Sequence, residues 1–233
     1  MRLKGKTAIV TGGGRGIGRA ICLALAEEGA NVVAAARTGK EIEETAEMVR
    51  RKGGRALAVK TDVRKAEDVR RLVAETVRAF GGIDILVNNA GVAYRKFLMD
   101  TTTKEYYAIM DTNVKGIFHC TRYALPFLLK SRPGKIINIS SGAGKHGIPQ
   151  LSIYSASKFA VIGITESLAA ELGRKVRVYA VCPGGVDTQM YRGLYFDRPL
   201  LKPEHIAEKV LELCLPEAQV PSGTSMEVYA PYS

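Results

Sequence analysis

The sequence predicts an α/β fold: one domain over residues 1–233, built on a doubly wound parallel sheet of about seven strands. Three observations lead there. From Lys6 to Asn113, short β-branched runs alternate with turn signals and helical stretches of about ten to fifteen residues, the pattern of βαβ units. The apolar runs are continuous instead of alternating, which marks strands buried on both faces of a parallel sheet. With 233 residues, 46% of them hydrophobic, the chain can bury one large core, and no Pro/Gly/Ser-rich tract offers a linker to a second.

The first strand is read at T-A-I-V, Thr7–Val10, and the second at V-V-A-A-A, Val32–Ala36. A-L-A-V at Ala56–Val59, D-I-L-V at Asp84–Val87 and K-I-I-N-I-S at Lys135–Ser140 follow. V-R-V-Y-A-V at Val176–Val181 and M-E-V-Y at Met226–Tyr229 complete the set. Helical stretches fall between them near 17–29, 40–52, 65–79, 103–130, 152–173 and 203–215. Pro126, late in the 103–130 stretch, is expected to kink or end it, because proline lacks the N–H and crowds the preceding turn. The stretch after Tyr154 is apolar or small on more than one face, enough for the sheet and for a partner subunit.

T-G-G-G-R-G-I-G, Thr11–Gly18, joins the first strand to the first helix. Free backbone N–H groups and the helix dipole at such a start favour a pyrophosphate. The spacing is T-G-x-x-x-G-x-G, with Gly12, Gly16 and Gly18 as its fixed members and Gly14 and Ile17 within the same cradle. The second strand ends in A-A-A-R-T-G. A protein that holds the ribose 2'-hydroxyl of NAD usually carries an acid there, whereas an Arg accommodates a 2'-phosphate. That position is Ala36, followed by Arg37 and Thr38, and Arg15 offers a second guanidinium for bidentate contact. NADP(H) is therefore expected over NAD(H), which stays open.

Y-S-A-S-K, Tyr154–Lys158, puts a phenol and an ammonium four residues apart on one helix face, with Ser141 thirteen residues upstream. A free phenol titrates near ~10 and is a poor acid or base at neutral pH. A unit positive charge about 4 Å away, at an effective dielectric of roughly 20, is worth about 4 kcal/mol and would lower that pKa by about 3. The expectation is a phenol tuned for acid-base catalysis.

Together with the glycine turn, Asp62-Val63, N-N-A-G at Asn88–Gly91, T-N-V at Thr112–Val114, I-S-S at Ile139–Ser141, Y-S-A-S-K and Pro183-Gly184 follow in an order and spacing that resemble the short-chain dehydrogenase/reductase family over essentially the whole chain. The resemblance implies a Rossmann-type fold and hydride transfer between the cofactor and a ketone or secondary alcohol. It implies that Asp62 and Val63 border the adenine, and that Asn89, Ala90 and Gly91 support the cofactor at the fourth strand's end. Val186 and Thr188 would meet the carboxamide and the diphosphate. Asn113 would disturb its helix locally and hold a water in a proton relay. Ser141 would hydrogen-bond the substrate oxygen; Ser140 competes for that role, and the family's usual thirteen-residue interval to the Tyr favours Ser141. Tyr154 would protonate the nascent alkoxide, or take the hydroxyl proton in oxidation, while Lys158 holds the nicotinamide ribose as well as the phenol.

Within the family, the glycine turn and N-N-A-G resemble those of 3-oxoacyl thioester reductases, which makes an acyl-carrier-bound substrate the leading expectation. Reductases of small carbonyls, sugars or other alcohols are the alternative. A dinucleotide sensor without catalysis is a further class, and the presence of Ser141, Tyr154 and Lys158 argues against it. Tyr191 to Pro199 is the expected substrate lid, short and carrying Tyr191, Tyr195 and Phe196. The tail S-G-T-S-M-E-V-Y-A-P-Y-S lacks the acidic-glycine ending common in tetrameric members, so a homodimer and a homotetramer both stay open.

Thirty-four Lys and Arg against 23 Asp and Glu give a net charge of +11. The basic residues are interspersed with acids, as in E-I-E-E-T-A-E-M-V-R-R-K, which reads as solvated helix faces and not as a nucleic-acid-binding stripe. Lys130, Arg132, Lys135, Arg174 and Lys175 form a candidate patch for an acidic acyl carrier. Cys22, Cys120, Cys182 and Cys214 are scattered singly without metal-ligand spacing, so free buried thiols and no metal are expected. Strand-like sequence begins within about six residues of Met1, and no apolar run reaches the ~18 residues of a membrane span, so the expectation is a cytoplasmic protein.

Overall fold

Seven parallel strands make one sheet: β1 (Thr7–Thr11), β2 (Asn31–Ala36), β3 (Ala56–Lys60), β4 (Ile85–Asn88), β5 (Gly134–Ile139), β6 (Val176–Pro183) and β7 (Ser225–Val228), in the order β3-β2-β1-β4-β5-β6-β7. The computed structural model describes residues 1–195 and 197–230. Each apolar run read from the sequence is one of these strands. The chain builds outward from β1 to β3, then returns to the other side of β1 to lay down β4 to β7, so the order reverses between β1 and β4. Loops on either side of such a reversal part at the carboxyl ends of the strands and leave a crevice there.

Successive strand residues point to opposite faces, and both faces are buried. Ala8, Val10, Val32, Ile137 and Val181 face one core with Ile21 and Leu25 of α1 (Gly16–Glu27) and Val210 and Leu213 of α8 (Pro203–Cys214). Ile9, Val33, Val59, Leu86 and Val178 face the other with Leu72 of α3 (Ala66–Phe80) and Ala124 and Leu128 of α5 (Gly116–Leu128). The remaining helices are α2 (Gly39–Arg51), α4 (Thr103–Met110), α6 (Ser152–Leu172) and α7 (Gln189–Arg192). All four cysteines are free and buried.

The 103–130 stretch departs from a single helix. A reciprocal capping box starts α4, with the Thr102 hydroxyl accepting the Glu105 N–H while the Glu105 carboxylate accepts that of Thr102. A π-helical turn at Asp111–Lys115 then interrupts it before α5 begins. This is the local disturbance expected at Asn113, and such turns cluster at functional sites. Pro126 lies inside α5, which ends two residues later at Leu128. The four-residue α7 had no periodic signature in the sequence because it is barely one turn long.

Lys130, Arg132, Arg174 and Lys175 are exposed in the loops that precede β5 and β6, at the end of the sheet opposite this subunit's crevice. Lys135 does not belong with them. Its side chain is buried, and its ammonium donates to the Leu213 carbonyl at 2.9 Å and to that of Leu215, closing the carboxyl end of α8.

Candidate active site

A cleft of about 790 Å³ opens at the carboxyl ends of the strands, over the β1–β4 reversal. The residues expected at a cofactor site line it: Gly12, Gly14, Arg15, Gly16, Ile17 and Gly18 from the first turn; Arg37 and Thr38 after β2; Asp62 and Val63 after β3; Asn89, Ala90 and Gly91 after β4; and Pro183, Gly184, Val186 and Thr188 after β6. Ser141, Tyr154 and Lys158 line the same cleft.

The glycine turn can only be made of glycine where it touches its neighbours. A Cβ on Gly18 would lie 2.1 Å from the Gly12 carbonyl oxygen, and Gly12 itself has φ +66°, a left-handed conformation. The turn is held from below by β4. Asn89 Nδ2 donates to the carbonyls of Thr11 at 2.9 Å and Gly12 at 3.3 Å, while Thr11 Oγ1 accepts the N–H groups of Asn89 and Ala90 at 3.0 and 3.1 Å. Thr11 thus pins the switch point, a role its place at the end of a strand run did not reveal. The first turn of α1 holds no acidic residue, so its free N–H groups face the cleft with nothing to compete against an anion. A narrow, glycine-lined cradle with an open helix start fits a pyrophosphate.

Arg37 is exposed at the cleft rim, and its charge adds to the field on Asp62. The chief partner of Asp62 is Arg64, whose guanidinium bonds both carboxylate oxygens at 2.6–3.1 Å and holds the acid below the ordinary carboxylate range. Arg15 reaches the other way, to the Gln189 amide and, at 3.5 Å, to Glu41. Thr188 faces the glycine turn, its methyl 3.3 Å from where a Gly16 Cβ would sit, and its hydroxyl caps α7 through the Tyr191 N–H at 3.2 Å. Val186 is buried and bridges to Leu201.

On the opposite wall, Ser140 and Ser141 follow β5. The buried Ser140 hydroxyl donates to the Lys158 carbonyl at 2.8 Å and is committed to α6. The Ser141 hydroxyl accepts the Ala143 N–H at 3.1 Å and favours the ionised form of the Tyr154 phenol. Both serines line the cleft, and Ser140 is the one bonded to α6.

Lys158 does not act on Tyr154 as the helix spacing led us to expect. Its ammonium lies over the phenol ring, 5.6 Å from the centroid, and donates to the Ile139 carbonyl at 2.8 Å. Burial pushes the Tyr154 phenol up to about 12, only partly offset by Ser141, and burial brings the Lys158 ammonium down to about 8. Removal from water outweighs the attraction because the charge stands against the ring and a carbonyl, not against the hydroxyl.

Asn113 is fully buried behind the cleft wall. Its Oδ1 accepts the Val92 N–H at 2.9 Å, and its Nδ2 donates to the Val92 carbonyl and to Ser157 Oγ, each at 3.0 Å. Both amide hydrogens are thereby used, which leaves one lone pair on Oδ1 for any water. Gly91 sits between Asn113 and Lys158: a Cβ there would be 3.4 Å from the one's Oδ1 and 3.6 Å from the other's Nζ.

The remaining wall of the cleft is apolar, formed by Val92, Ile148, Leu151, Met190, Leu194 and Tyr195. Most of these carry no local signal, since loops and the one-turn α7 place their side chains only through the tertiary fold. Tyr229 was also missed: its ring packs within 3.1 and 3.2 Å of where Cβ atoms on Gly142 and Gly184 would stand, bracing the loops after β5 and β6 from the tail. Phe196, expected in the lid, lies outside the described residues, as do the last three residues of the tail. Among the described residues no helix is long and apolar enough to cross a membrane, and no three His, Cys, Asp or Glu side chains are grouped to hold a metal.

Comparison with known proteins agrees with this arrangement. Residues 6–198 match the short chain dehydrogenase family. A 3-oxoacyl-(acyl-carrier-protein) reductase of Staphylococcus aureus is 43% identical over 187 residues, 79% of this chain and 76% of its own. One of Thermotoga maritima is 34% identical over 96% of both chains. Among solved structures, a dehydrogenase/reductase from Sinorhizobium meliloti superposes with a TM-score of 0.89 at 37% identity, covering 97% of this chain and 94% of the other. A short-chain dehydrogenase/reductase from Serratia marcescens gives 0.91 at 33% identity over 98% of each. A seven-stranded switch-point fold, a glycine cradle over its reversal and a family match across most of the sequence lead to one assignment: the chain is an oxidoreductase of the short-chain dehydrogenase family.

Proposed function

We propose that this oxidoreductase uses NADP(H) to reduce a 3-oxoacyl thioester, with Tyr154 as the proton donor. The observation that carries the reading is the convergence of Ser141, Tyr154 and Lys158 on the cleft wall. A nicotinamide cofactor held in this cleft would supply the hydride for the carbonyl carbon. Ser141 Oγ donates to the carbonyl oxygen and aligns it, and Tyr154 delivers its proton to that oxygen as it becomes an alkoxide. A phenol raised by burial to about 12 carries its proton at neutral pH, as a donor must, and is a weaker acid than a free phenol. Lys158 steadies the ring and would hold the nicotinamide ribose. The N–H groups that open α1 would hold the pyrophosphate, and Arg37 the 2'-phosphate.

Two observations support the thioester: the apolar wall of Val92, Ile148, Leu151, Met190 and Leu194 suits an acyl chain, and the relatives from Staphylococcus and Thermotoga carry that activity in their names. The exposed Phe118 on α5 and Phe159 on α6 support a homo-oligomer, which light scattering would test: a monomer would end that part of the reading. The decisive experiment is the initial rate of NADPH and NADH oxidation with an acetoacetyl thioester, beside a diketone and an aldehyde panel. Fast turnover of the thioester with NADPH, lost in Tyr154→Phe, is expected. Turnover of the other carbonyls alone would remove the acyl substrate, and survival of full activity in Tyr154→Phe would remove the mechanism.

A further inference from the structure

The segment of residues 187–195 and 197–201 lies along the substrate side of the cleft. Its ends meet at β6, where the Asp187 N–H donates to the Leu201 carbonyl at 2.8 Å and Val186 bridges to Leu201. Between these ends it is tied down twice. On the cofactor side Arg15 holds Gln189. On the substrate side the tie comes from Arg95, in the loop between β4 and α4. Its Nη1 donates to the Leu194 carbonyl at 3.2 Å, and its guanidinium lies 4.6 Å from the centre of the Tyr195 ring. Tyr195 stacks on Tyr191 at 4.8 Å with 25° between the planes. The Tyr191 ring in turn packs on Gly185, where a Cβ would come within 2.7 Å of it, and its hydroxyl bonds the Asp197 carboxylate at 3.0 Å. Arg95, Tyr195, Tyr191 and Gly185 therefore form one continuous stack across the cleft mouth, from the β4–α4 loop to the end of β6.

The loop that carries Arg95 is itself fixed at both ends. Asn113 holds Val92 through both its backbone groups, and the Lys96 N–H donates to the Gln150 carbonyl at 2.8 Å. Among the described residues no carboxylate forms an ion pair with Arg95, so its charge is available to the ring and the carbonyl. We propose that Arg95 is a positioning residue of the reaction, latching residues 187–195 so that Tyr195 forms a fixed wall of the carbonyl pocket. Tyr195 lines the same cleft as Tyr154 and disfavours its ionised form, so the latch sets the space beside the proton donor. This inference rests on the reading of Tyr154 given above.

Limited proteolysis reads the latch without any catalysis. Trypsin cuts after Lys and Arg unless Pro follows. In 187–203, Arg198-Pro199 and Lys202-Pro203 are protected by their prolines, which leaves Arg192–Gly193 as the one bond in the segment that reports its opening. Loss of one cation–π contact and one charge-assisted hydrogen bond should make Arg95→Ala release that cut about tenfold faster at an unchanged Tm. The same variant should raise KM for the acetoacetyl thioester about tenfold, with a smaller change in kcat and with NADPH affinity retained. Arg95→Lys, which keeps a cation over the ring, should restore part of both effects. Tyr195→Leu should behave as Arg95→Ala, and the Arg95→Ala/Tyr195→Leu double variant no worse than either single one. An unchanged cutting rate and KM in Arg95→Ala, or full additivity in the double variant, would overturn the latch. A wild type that turns over no carbonyl while Arg95→Ala still opens the segment would remove the functional reading and leave the latch standing.

Discussion

Asn113 and Val92 are joined by a two-way amide pair, Oδ1 accepting the Val92 N–H at 2.9 Å and Nδ2 donating to the Val92 carbonyl at 3.0 Å. The pair ties a π-helical turn to the loop that enters the cleft. An uninterrupted α-helix would wind Asn113 through a different angle, so the wide turn and the loop's position depend on each other.

Asn113→Ala should therefore act first on stability. It leaves two backbone groups of Val92 short of a partner, at about 1–3 kcal/mol for each that stays unpaired, while the Ser157 hydroxyl keeps its bond to the Tyr154 carbonyl. For a chain of this size the expected fall in Tm is on the order of 10 °C. Reductase activity should fall with it. Calorimetry that finds the variant melting with the wild type would mean the amide pair carries no load.

Gly18→Ala should destroy the cofactor cradle while other glycines tolerate the same change. The added methyl would meet the Gly12 carbonyl oxygen at 2.1 Å and Asn89 Nδ2 at 2.5 Å, both in parts of the turn that cannot withdraw. NADPH affinity should drop at least tenfold, equivalent to about 1.4 kcal/mol. Gly39, at the start of α2, has nothing within 4 Å of a Cβ. Gly39→Ala is expected to bind NADPH normally and to gain about 0.4–1 kcal/mol from a less flexible unfolded chain. Equal affinities of the two variants, measured by cofactor fluorescence, would contradict the steric argument.

The strands were legible because a sheet buried on both faces demands apolar runs, as at Ala8–Val10, Val32–Ala36 and Ile85–Val87, although the edge strand β7 carries an exposed Glu227. The glycine cradle was legible because backbone approach leaves glycine as the only choice at fixed spacing. Lys135 was misread: a lysine at the start of a strand looks solvated, and nothing local tells that its partners are carbonyls about eighty residues away at the end of α8. The Tyr154 to Lys158 spacing gave the shared helix face correctly. It could not give the direction of the ammonium, which turns to Ile139 and leaves burial to set both pKa values. Met190, Leu194 and Ile148 went unread because loop side chains become a pocket wall only through tertiary placement.

Arg37→Asp should separate the two nicotinamide cofactors. Arg37 is exposed at the end of β2 beside Ala36, where no carboxylate competes for a ribose hydroxyl. Reversing its charge should weaken NADPH by at least about tenfold, ~1.4 kcal/mol, and leave NADH equal or improved. The comparison is of the two dissociation constants in one buffer, because contacts to an exposed guanidinium are screened by salt. A parallel loss for both cofactors would show that Arg37 supports the loop and does not read the phosphate.

Lys158 should be a liability to the fold at neutral pH. Burial brings its ammonium from an ordinary 10.5 to about 8, so the unfolded chain binds that proton more tightly than the folded one. The penalty is full below about pH 8, where both states are charged, and it fades as pH rises from about 8 to about 10.5, where the unfolded lysine also loses its proton. A difference of this size corresponds to about 3 kcal/mol, less the hydrogen bond to Ile139 that the lysine makes in return. Lys158→Met should then be inactive yet more resistant to urea at pH 7, with its advantage over wild type shrinking by pH 10. Melts at the two pH values decide it. An advantage that stays constant with pH would mean the lysine remains charged in the fold at neutral and alkaline pH alike. A shrinking advantage would show that the protein keeps a destabilising buried amine at this position because the cleft chemistry needs it there.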